Sequence, residues 1–532
     1  MLFTSYEFVA FICLTFLLYY IVPKKAQWAV LLIASYGFYA FSGLTNLLFI
    51  LFTTILSWLV GLLVSRIRGS AEAYLRESKE ELTKEQKKAY KAKEKKKSFL
   101  VLCLGLVIGF GILAVIKYTG FALTNVNGIL AAFGSGTKLT VPDFILPLGI
   151  SFYIFQSMGY LIDVYRGRAK AEKNIFRLAL FVSFFPQLIQ GPISRHSDLA
   201  PELFEEHRFS GAAFFSGIQR MAWGYFKKLV IADRILIGMK TILSDTDEYR
   251  GAWALLLIFA YSVEIYADFT GGIDITIGIA ESLGIRLKEN FNHPFTSKST
   301  KEYWNRWHIT MGSWFTDYIF YPLSVCRPMQ TVSKKSRKLF GNAIGKRIPV
   351  YIATVATWFL TGLWHGAAWN FIVWGLLNCL VILVSQELEP LYKKFREKTG
   401  GLTSTWGYGA FMAARTFVLM GFIRSLDCYR DVSTTFSMWL SVFTVGNYGE
   451  LFSQKMAQVG FDAANLLIIC TATALVCLVN AILVRKGSDL RVSLRDKPFL
   501  SYSLFALVIV AIVIFGAYGV GYDASDFIYG QF

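Results

Sequence analysis

Apolar runs of up to about twenty residues recur along the chain, near 6–22, 28–43, 46–65, 98–117, 143–164, 213–232, 252–268, 349–364, 367–385, 404–423, 464–484 and 500–517. A helix of about twenty residues crosses a hydrocarbon core ~30 Å thick. In lipid a backbone N–H or C=O meets no water, so such segments must satisfy their hydrogen bonds internally, as helices do. Only 17% of the residues are charged, against about 25% in an ordinary soluble domain. The chain is therefore read as an all-α polytopic membrane protein, with about eleven to thirteen transmembrane or re-entrant helices.

The first apolar run leads through Ile21-Val22-Pro23-Lys24-Lys25 towards the next without a small-residue cleavage site, as a retained helix would. The net charge of +18 would suit a nucleic-acid partner, but its placement does not. Lys24 and Lys25 follow the first run, the basic stretch 66–97 the third, and Arg166, Arg168, Lys170, Lys173 and Arg177 the fifth. An excess of Lys and Arg marks cytoplasmic loops, which puts the N-terminus outside the cell. The stretch 66–97 reads as a solvated helix in contact with anionic headgroups at most. No aromatic platform is interleaved with its lysines, so nucleic acid is not expected as a partner. The cysteines are odd in number and lack a CxxC pair, which fits small buried hydrophobes better than disulfides or a zinc site.

Two regions break the pattern. Between 265 and 330 the chain is too polar for a plain span, and Gly271-Gly272 and Pro294 divide it into short pieces expected to be re-entrant or interfacial. Phe184 to Leu199, with two prolines and a glycine, is expected to line the same cavity or its rim. Ionisable groups in such segments are costly and point to function or to pairing. They are Glu264, Asp268, Asp274, Arg306, His308 and His365. Glu264 reads most simply as a salt-bridge or rim residue, and Asp268 as a cap for a helix starting near Gly271-Gly272.

His308 lies in KEYWNRWHITMGSW and His365 in TWFLTGLWHGAAWNFIVWG, each crowded by tryptophans. A satisfied interior imidazole is the plain reading. A bis-histidine haem or metal pair lacks a third ligand, so no metal is expected. A proton relay in a transporter would use the near-neutral titration of histidine. General-base catalysis would use a neutral imidazole to take a proton from an attacking hydroxyl. No GxSxG elbow indicates a serine nucleophile.

DFTGGIDITIG (268–278), ENFNHPF (289–295), YWNRWHITMGSWFTDYIFYPL (303–323) and TGLWHGAAWNFIVWG (361–375) stand in the order seen in membrane-bound O-acyltransferases. LPLGISFYIFQSMGYLIDVYRG (146–167) and FFPQLIQGPISR (184–195) resemble the family's earlier blocks. The RWH at 306–308 is similar to the bacterial cell-envelope branch, which includes alginate-type and peptidoglycan O-acetyltransferase membrane subunits and the D-alanyl transfer protein of teichoic acid. The tail, with FVLMGFIRSLDCYRDVSTTFSMWLSVF (417–443), is most like the alginate-type members. Asn305, Gly272 and Phe295 depart from frequent family residues without removing a proposed catalytic group.

The resemblance implies helices surrounding a central catalytic tunnel. It divides the chain into N-terminal transmembrane helices over 1–145 with the cytoplasmic loop 66–97, a catalytic core over 146–385, and C-terminal transmembrane helices over 386–532. His365 and His308 match the family's catalytic histidines. Asn290, Trp304, Arg306, Trp307, Trp364, Asp268 and Gln187 are implied to line the tunnel or position substrate. No bound cofactor is implied. The acyl donor would be acetyl-CoA or an acyl-carrier thioester on the cytoplasmic side, and the acceptor an extracytoplasmic polysaccharide, reached directly or through an extracytoplasmic acetyltransferase partner protein. The setting would be the lipid of a bacterial plasma membrane. D-alanyl transfer to teichoic acid is the alternative within the class, and a proton-coupled acyl or glycan transporter the alternative outside it.

Overall fold

The computed structural model describes residues 3–78, 80–487 and 490–518. Among these residues the regular structure is helical, apart from an isolated antiparallel bridge between Phe291 and Trp307. Among the described residues seven helices are long and apolar enough to cross a membrane: Leu44–Glu77, Lys84–Ala132, Ala252–Ser282, Trp369–Glu387, Trp406–Tyr429, Ala463–Arg485 and Pro498–Phe515. Other predicted runs form shorter apolar helices, among them Tyr6–Ile21, Gln27–Ala40 and Ile150–Arg166. The chain is a polytopic helical membrane protein.

It divides into two compact units, residues 1–214 with 279–287, and residues 215–278 with 288–532. In the first, Leu44–Glu77 and Lys84–Ala132 form a long hairpin. The stretch 66–97 is not one separate solvated helix, because it supplies the polar arms of both helices. The second arm starts at a capping box in which Thr83 and Gln86 satisfy each other's backbone N–H. Tyr74 and Tyr90, with ring centroids 4.6 Å apart, pack the arms together. A Cβ on Gly105 would meet Val60 at 2.9 Å, and one on Gly109 would meet Met158 at 2.7 Å. Such small-residue contacts are how helices approach closely where water supplies no driving force. Phe184 to Leu199 is irregular, as expected, with a short helix Phe185–Leu188 inside it.

In the second unit the glycine pair does not break the chain. Ala252–Ser282 runs as one helix through Gly271 and Gly272, so Asp268 is not a cap. A Cβ on Gly271 would lie 2.9 Å from the Gly224 carbonyl oxygen, and one on Gly278 would lie 2.6 Å from that of Gly217. Glycine costs about 1 kcal/mol within a helix, and here it permits backbone-to-backbone packing. The partner segment, Gly211–Tyr225, passes into a π-helical turn at Phe226–Ala232. That turn aims Lys227 and Lys228 at the acids of the long helix. Lys228 Nζ lies 2.7 Å from Asp268 and 2.8 Å from Asp233, while Lys227 Nζ lies 2.7 Å from Asp274. Arg220 joins Asp274 to Glu289. Beyond residue 282 the expected short pieces appear, as helices Thr300–Arg306, Ile309–Phe315 and Tyr321–Val325.

All seven cysteines are free. Cys379 is buried, but Cys13, Cys470 and Cys477 are exposed, correcting the expectation of buried positions. They sit on apolar helices, where an outward face that meets lipid tolerates a small apolar thiol.

Candidate active site

The second unit brings His308 and His365 together around one indole. Trp364 packs against both imidazoles, with ring centroids 5.9 Å from His308 and 5.0 Å from His365. Trp374 closes the other side of His365 at 4.6 Å, and Phe269 stands edge-on to His308 at 4.9 Å. Trp304 extends the aromatic wall, 5.0 Å from Trp358 and 5.5 Å from Trp374, and its Nε1 donates to Asn378 Oδ1 at 3.1 Å.

Local backbone geometry fixes His308. It occupies the left-handed region at φ 49° and ψ 52°, immediately before the helix Ile309–Phe315. That conformation is uncommon for a residue with a Cβ and needs surrounding support. The strip 290–292 supplies it: Ile309 N donates to Asn290 O at 3.0 Å, and Asn292 N donates to Arg306 O at 2.9 Å. Asn290 Oδ1 accepts from Thr310 N at 3.0 Å and from Thr310 Oγ1 at 2.9 Å. His308 Nδ1 lies 3.3 Å from the same oxygen. A backbone N–H can only donate, so this amide atom is the acceptor and His308 Nδ1 carries the proton towards it. The lone pair of the neutral ring is then on Nε2.

His365 ends the helix Ile348–His365, and Gly366 and Ala368 turn the chain into Trp369–Glu387. The two helices pack backbone to backbone. A Cβ on Gly362 would meet the Phe371 carbonyl oxygen at 2.4 Å, one on Gly375 that of Trp358 at 2.4 Å, and one on Gly366 the Phe371 ring at 2.1 Å. The TGLWHG stretch is thus a tight hairpin whose glycines let the histidine turn seat against its neighbours.

The other expected residues have different settings. Trp307 stacks with Tyr303 at 5.7 Å and faces Phe291 at 4.9 Å, supporting the His308 backbone from behind. Arg306 pairs with Glu302 at 2.6 Å and donates to Thr296 Oγ1 at 2.7 Å, so it braces the 294–306 segment. Asp268 pairs with Lys228. Glu264 is buried on the same helix. Gln187 belongs to the first unit, where it donates to Gln156 Oε1 at 3.0 Å and accepts from Ser194 Oγ at 3.0 Å.

Several residues of this setting were missed in the sequence: Arg424, Asn370, Asn378, Lys227 and Lys228. Asn370 Nδ2 donates to Leu426 O at 3.1 Å and so ties the histidine hairpin to the 406–429 helix. A polar or charged residue inside an apolar run was the available signal, and it carries no information about which distant segment supplies its partner.

Two histidines from separate segments, held against tryptophans, define a helical membrane protein with a paired imidazole centre walled by aromatic rings. Comparison with known proteins supplies its relatives. The sequence profile of the membrane-bound O-acyltransferase family matches residues 168–429. A probable alginate O-acetylase of Azotobacter vinelandii is 36% identical over 289 residues, 54% of each chain. A peptidoglycan O-acetyltransferase of Helicobacter pylori is 32% identical over 322 residues, 56% of this chain and 57% of that one. A teichoic acid D-alanyltransferase of Bacillus subtilis is 29% identical over 254 residues, 47% of this chain and 61% of that one. Over residues 168–429 the chain is similar to the membrane-bound O-acyltransferase family, and probable alginate O-acetylases are among the relatives it matches. It spans about half the length of the curated relatives it matches.

Proposed function

We propose that this protein is an O-acyltransferase that moves an acetyl group from a cytoplasmic thioester to hydroxyls of an extracytoplasmic cell-envelope polysaccharide. The observation that carries the reading is the Trp364 indole packed against both imidazoles. The names of the relatives supply the reaction class.

In this reading His365 is the general base. The acceptor oxygen attacks the thioester carbonyl while its proton passes to His365, a contribution typically of 10²–10⁴-fold. Collapse of the tetrahedral intermediate breaks the C–S bond, and the departing thiolate takes the proton back, leaving an ester and a free thiol. His308, fixed in one tautomer by Asn290, orients the acceptor through Nε2. The surrounding tryptophans exclude the water that would hydrolyse the thioester. The donor is acetyl-CoA or an acyl-carrier thioester, and the acyl group reaches the polysaccharide directly or through an extracytoplasmic partner protein. The N-terminus lies outside the cell in this arrangement, with the basic loops on the donor side.

The test is the acyl content of the envelope polysaccharide, by mass spectrometry, in cells with the wild-type protein or His365→Ala at matched membrane levels. Loss of O-acetyl esters with His365→Ala supports the proposal. Loss of D-alanyl esters alone would assign the protein to teichoic acid instead. Unchanged esters of both kinds would remove His365 as the base and leave proton-coupled transport as the reading to pursue.

A further inference from the structure

Between Asp317 and Glu387 the chain contains no acidic residue, yet residues 327–347 carry Arg327, Lys334, Lys335, Arg337, Lys338, Lys346 and Arg347. Most of this charge lies on the helix Arg327–Gly345. Among the described residues only Arg347 of these seven has an ion-pair partner, Glu387. Such an excess of unpaired positive charge calls for a counter-charge from outside the chain.

The same helix presents bulky apolar side chains to the outside. Leu339 is 76% exposed, Phe340 57% and Ile344 53%. Gly341 breaks the helix at φ 75°, and the chain then doubles back. A Cβ on Gly345 would meet Arg337 N at 2.4 Å, so only glycine allows that return. The fold-back keeps Leu339, Phe340 and Ile344 within one short stretch alongside Lys334, Lys335, Arg337 and Lys338. Ile348 then begins the apolar helix that ends at His365. A basic helix with exposed apolar side chains, joined directly to an apolar helix of a membrane protein, has the chemistry of an interfacial element.

We infer that Arg327–Gly345 is an anionic-lipid-binding helix. Leu339, Phe340 and Ile344 enter the boundary between headgroups and acyl chains, while the unpaired cations bind the phosphates of anionic phospholipids. The occupant is the bilayer surface, because exposed apolar side chains and unpaired cations match its apolar boundary and its negative headgroups together. A consequence is that the helix bearing His365 is anchored at its start by lipid charge.

Hydrogen exchange on the full-length protein in nanodiscs tests this without any assay of acyl transfer. One set is phosphatidylcholine alone, and the other equal parts phosphatidylcholine and phosphatidylglycerol. Exchange of peptides within 327–345 is expected to slow about ten-fold in the anionic bilayer and to recover with added salt. The variant K334Q/K335Q/R337Q/K338Q should lose that lipid-dependent increment, while L339S/F340S/I344S should expose the segment in both bilayers. Exchange across Ala252–Ser282 reports whether each variant is folded, and the wild-type comparison stands even if a variant is not. Equal protection in the two bilayers would overturn the inference. So would protection that appears only when an acidic carrier protein is added, since the surface would then be a protein dock.

Discussion

The guanidinium of Arg424 lies 4.3 Å from the centroid of the Trp307 ring and donates a hydrogen bond to the Tyr303 hydroxyl. Trp307 immediately precedes His308, and Tyr303 stacks on Trp307 with the planes 17° apart. A cation from the 406–429 helix therefore clamps, from behind, the turn that holds His308 in its left-handed conformation. A desolvated cation–π contact is worth about 2 kcal/mol.

Arg424→Met is expected to lower the rate of acyl transfer about ten-fold per folded molecule, with little change in KM for the thioester. Losing all of about 2 kcal/mol from the positioning of His308 would set the upper limit near thirty-fold. Arg424→Lys keeps the charge without the planar fork and should restore only part of the rate. A purely structural role would instead reduce the yield of folded protein and leave turnover per folded molecule unchanged.

Asn290 Oδ1 gathers three donors, from His308 Nδ1, Thr310 N and Thr310 Oγ1. Asn290→Ala removes the acceptor they share in a buried site, at about 1–3 kcal/mol for a buried group that loses its partner. Thr310→Val removes one donor and leaves the acceptor occupied, so it should cost about 1 kcal/mol. Melting in detergent is therefore expected to rank wild type above Thr310→Val and Thr310→Val above Asn290→Ala. Acyl transfer should fall steeply only for Asn290→Ala, where the imidazole tautomer is released. Equal rates for the two variants would show that the tautomer does not matter.

Much of this arrangement was legible in the sequence, because the membrane leaves a chain few options. Apolar runs become helices, and the tryptophan-rich blocks around His308 and His365 stand close to the positions that fold against each other. What the sequence concealed were pairings between distant segments. Gly271-Gly272 looked like a break because glycine destabilises an isolated helix, yet its partner at Gly224 turns that weakness into a contact. Lys227 and Lys228 sat unnoticed in an apolar run, since besides the nearby Asp233 their acids lie 40 and 47 residues away, at Asp268 and Asp274. Arg306 looked like a site residue through its place beside Trp307, but the structure commits it to Glu302.

The Lys228 cluster makes its own prediction. Lys228, Asp233 and Asp268 each have side chains about 1% exposed, so removal of the cation takes from two buried carboxylates the positive charge they share. Breaking a buried pair in this way costs about 3–5 kcal/mol, whereas replacing charges together with neutral groups is far less harmful. Lys228→Met should therefore sharply reduce folded protein in size-exclusion profiles. The double variant Lys228→Met, Asp268→Asn should recover part of that loss. If the double variant is worse than the single, the cluster contributes more than paired charge.

His196, outside the candidate spans, gives the pH dependence. Its ring lies 4.8 Å from Tyr160 and 4.9 Å from Phe181, and burial pushes its pKa down to about 4. The unfolded chain restores the ordinary value near 6.5. Below pH ~6.5 the unfolded state takes up a proton that the native state refuses, so stability falls with acidification by about 1.4 kcal/mol per pH unit. The loss continues down to about pH 4, where the native ring also protonates, and above the unfolded pKa this residue contributes no slope. His196→Phe removes the titration and keeps an aromatic ring between Tyr160 and Phe181. The difference in melting temperature between wild type and this variant, measured in one detergent, should shift against the wild type between pH ~7 and pH ~5. A difference that stays constant over that interval would mean that His196 keeps its ordinary pKa in the folded protein because its surroundings are wet, and a shift in favour of the wild type would mean that the folded ring is already charged.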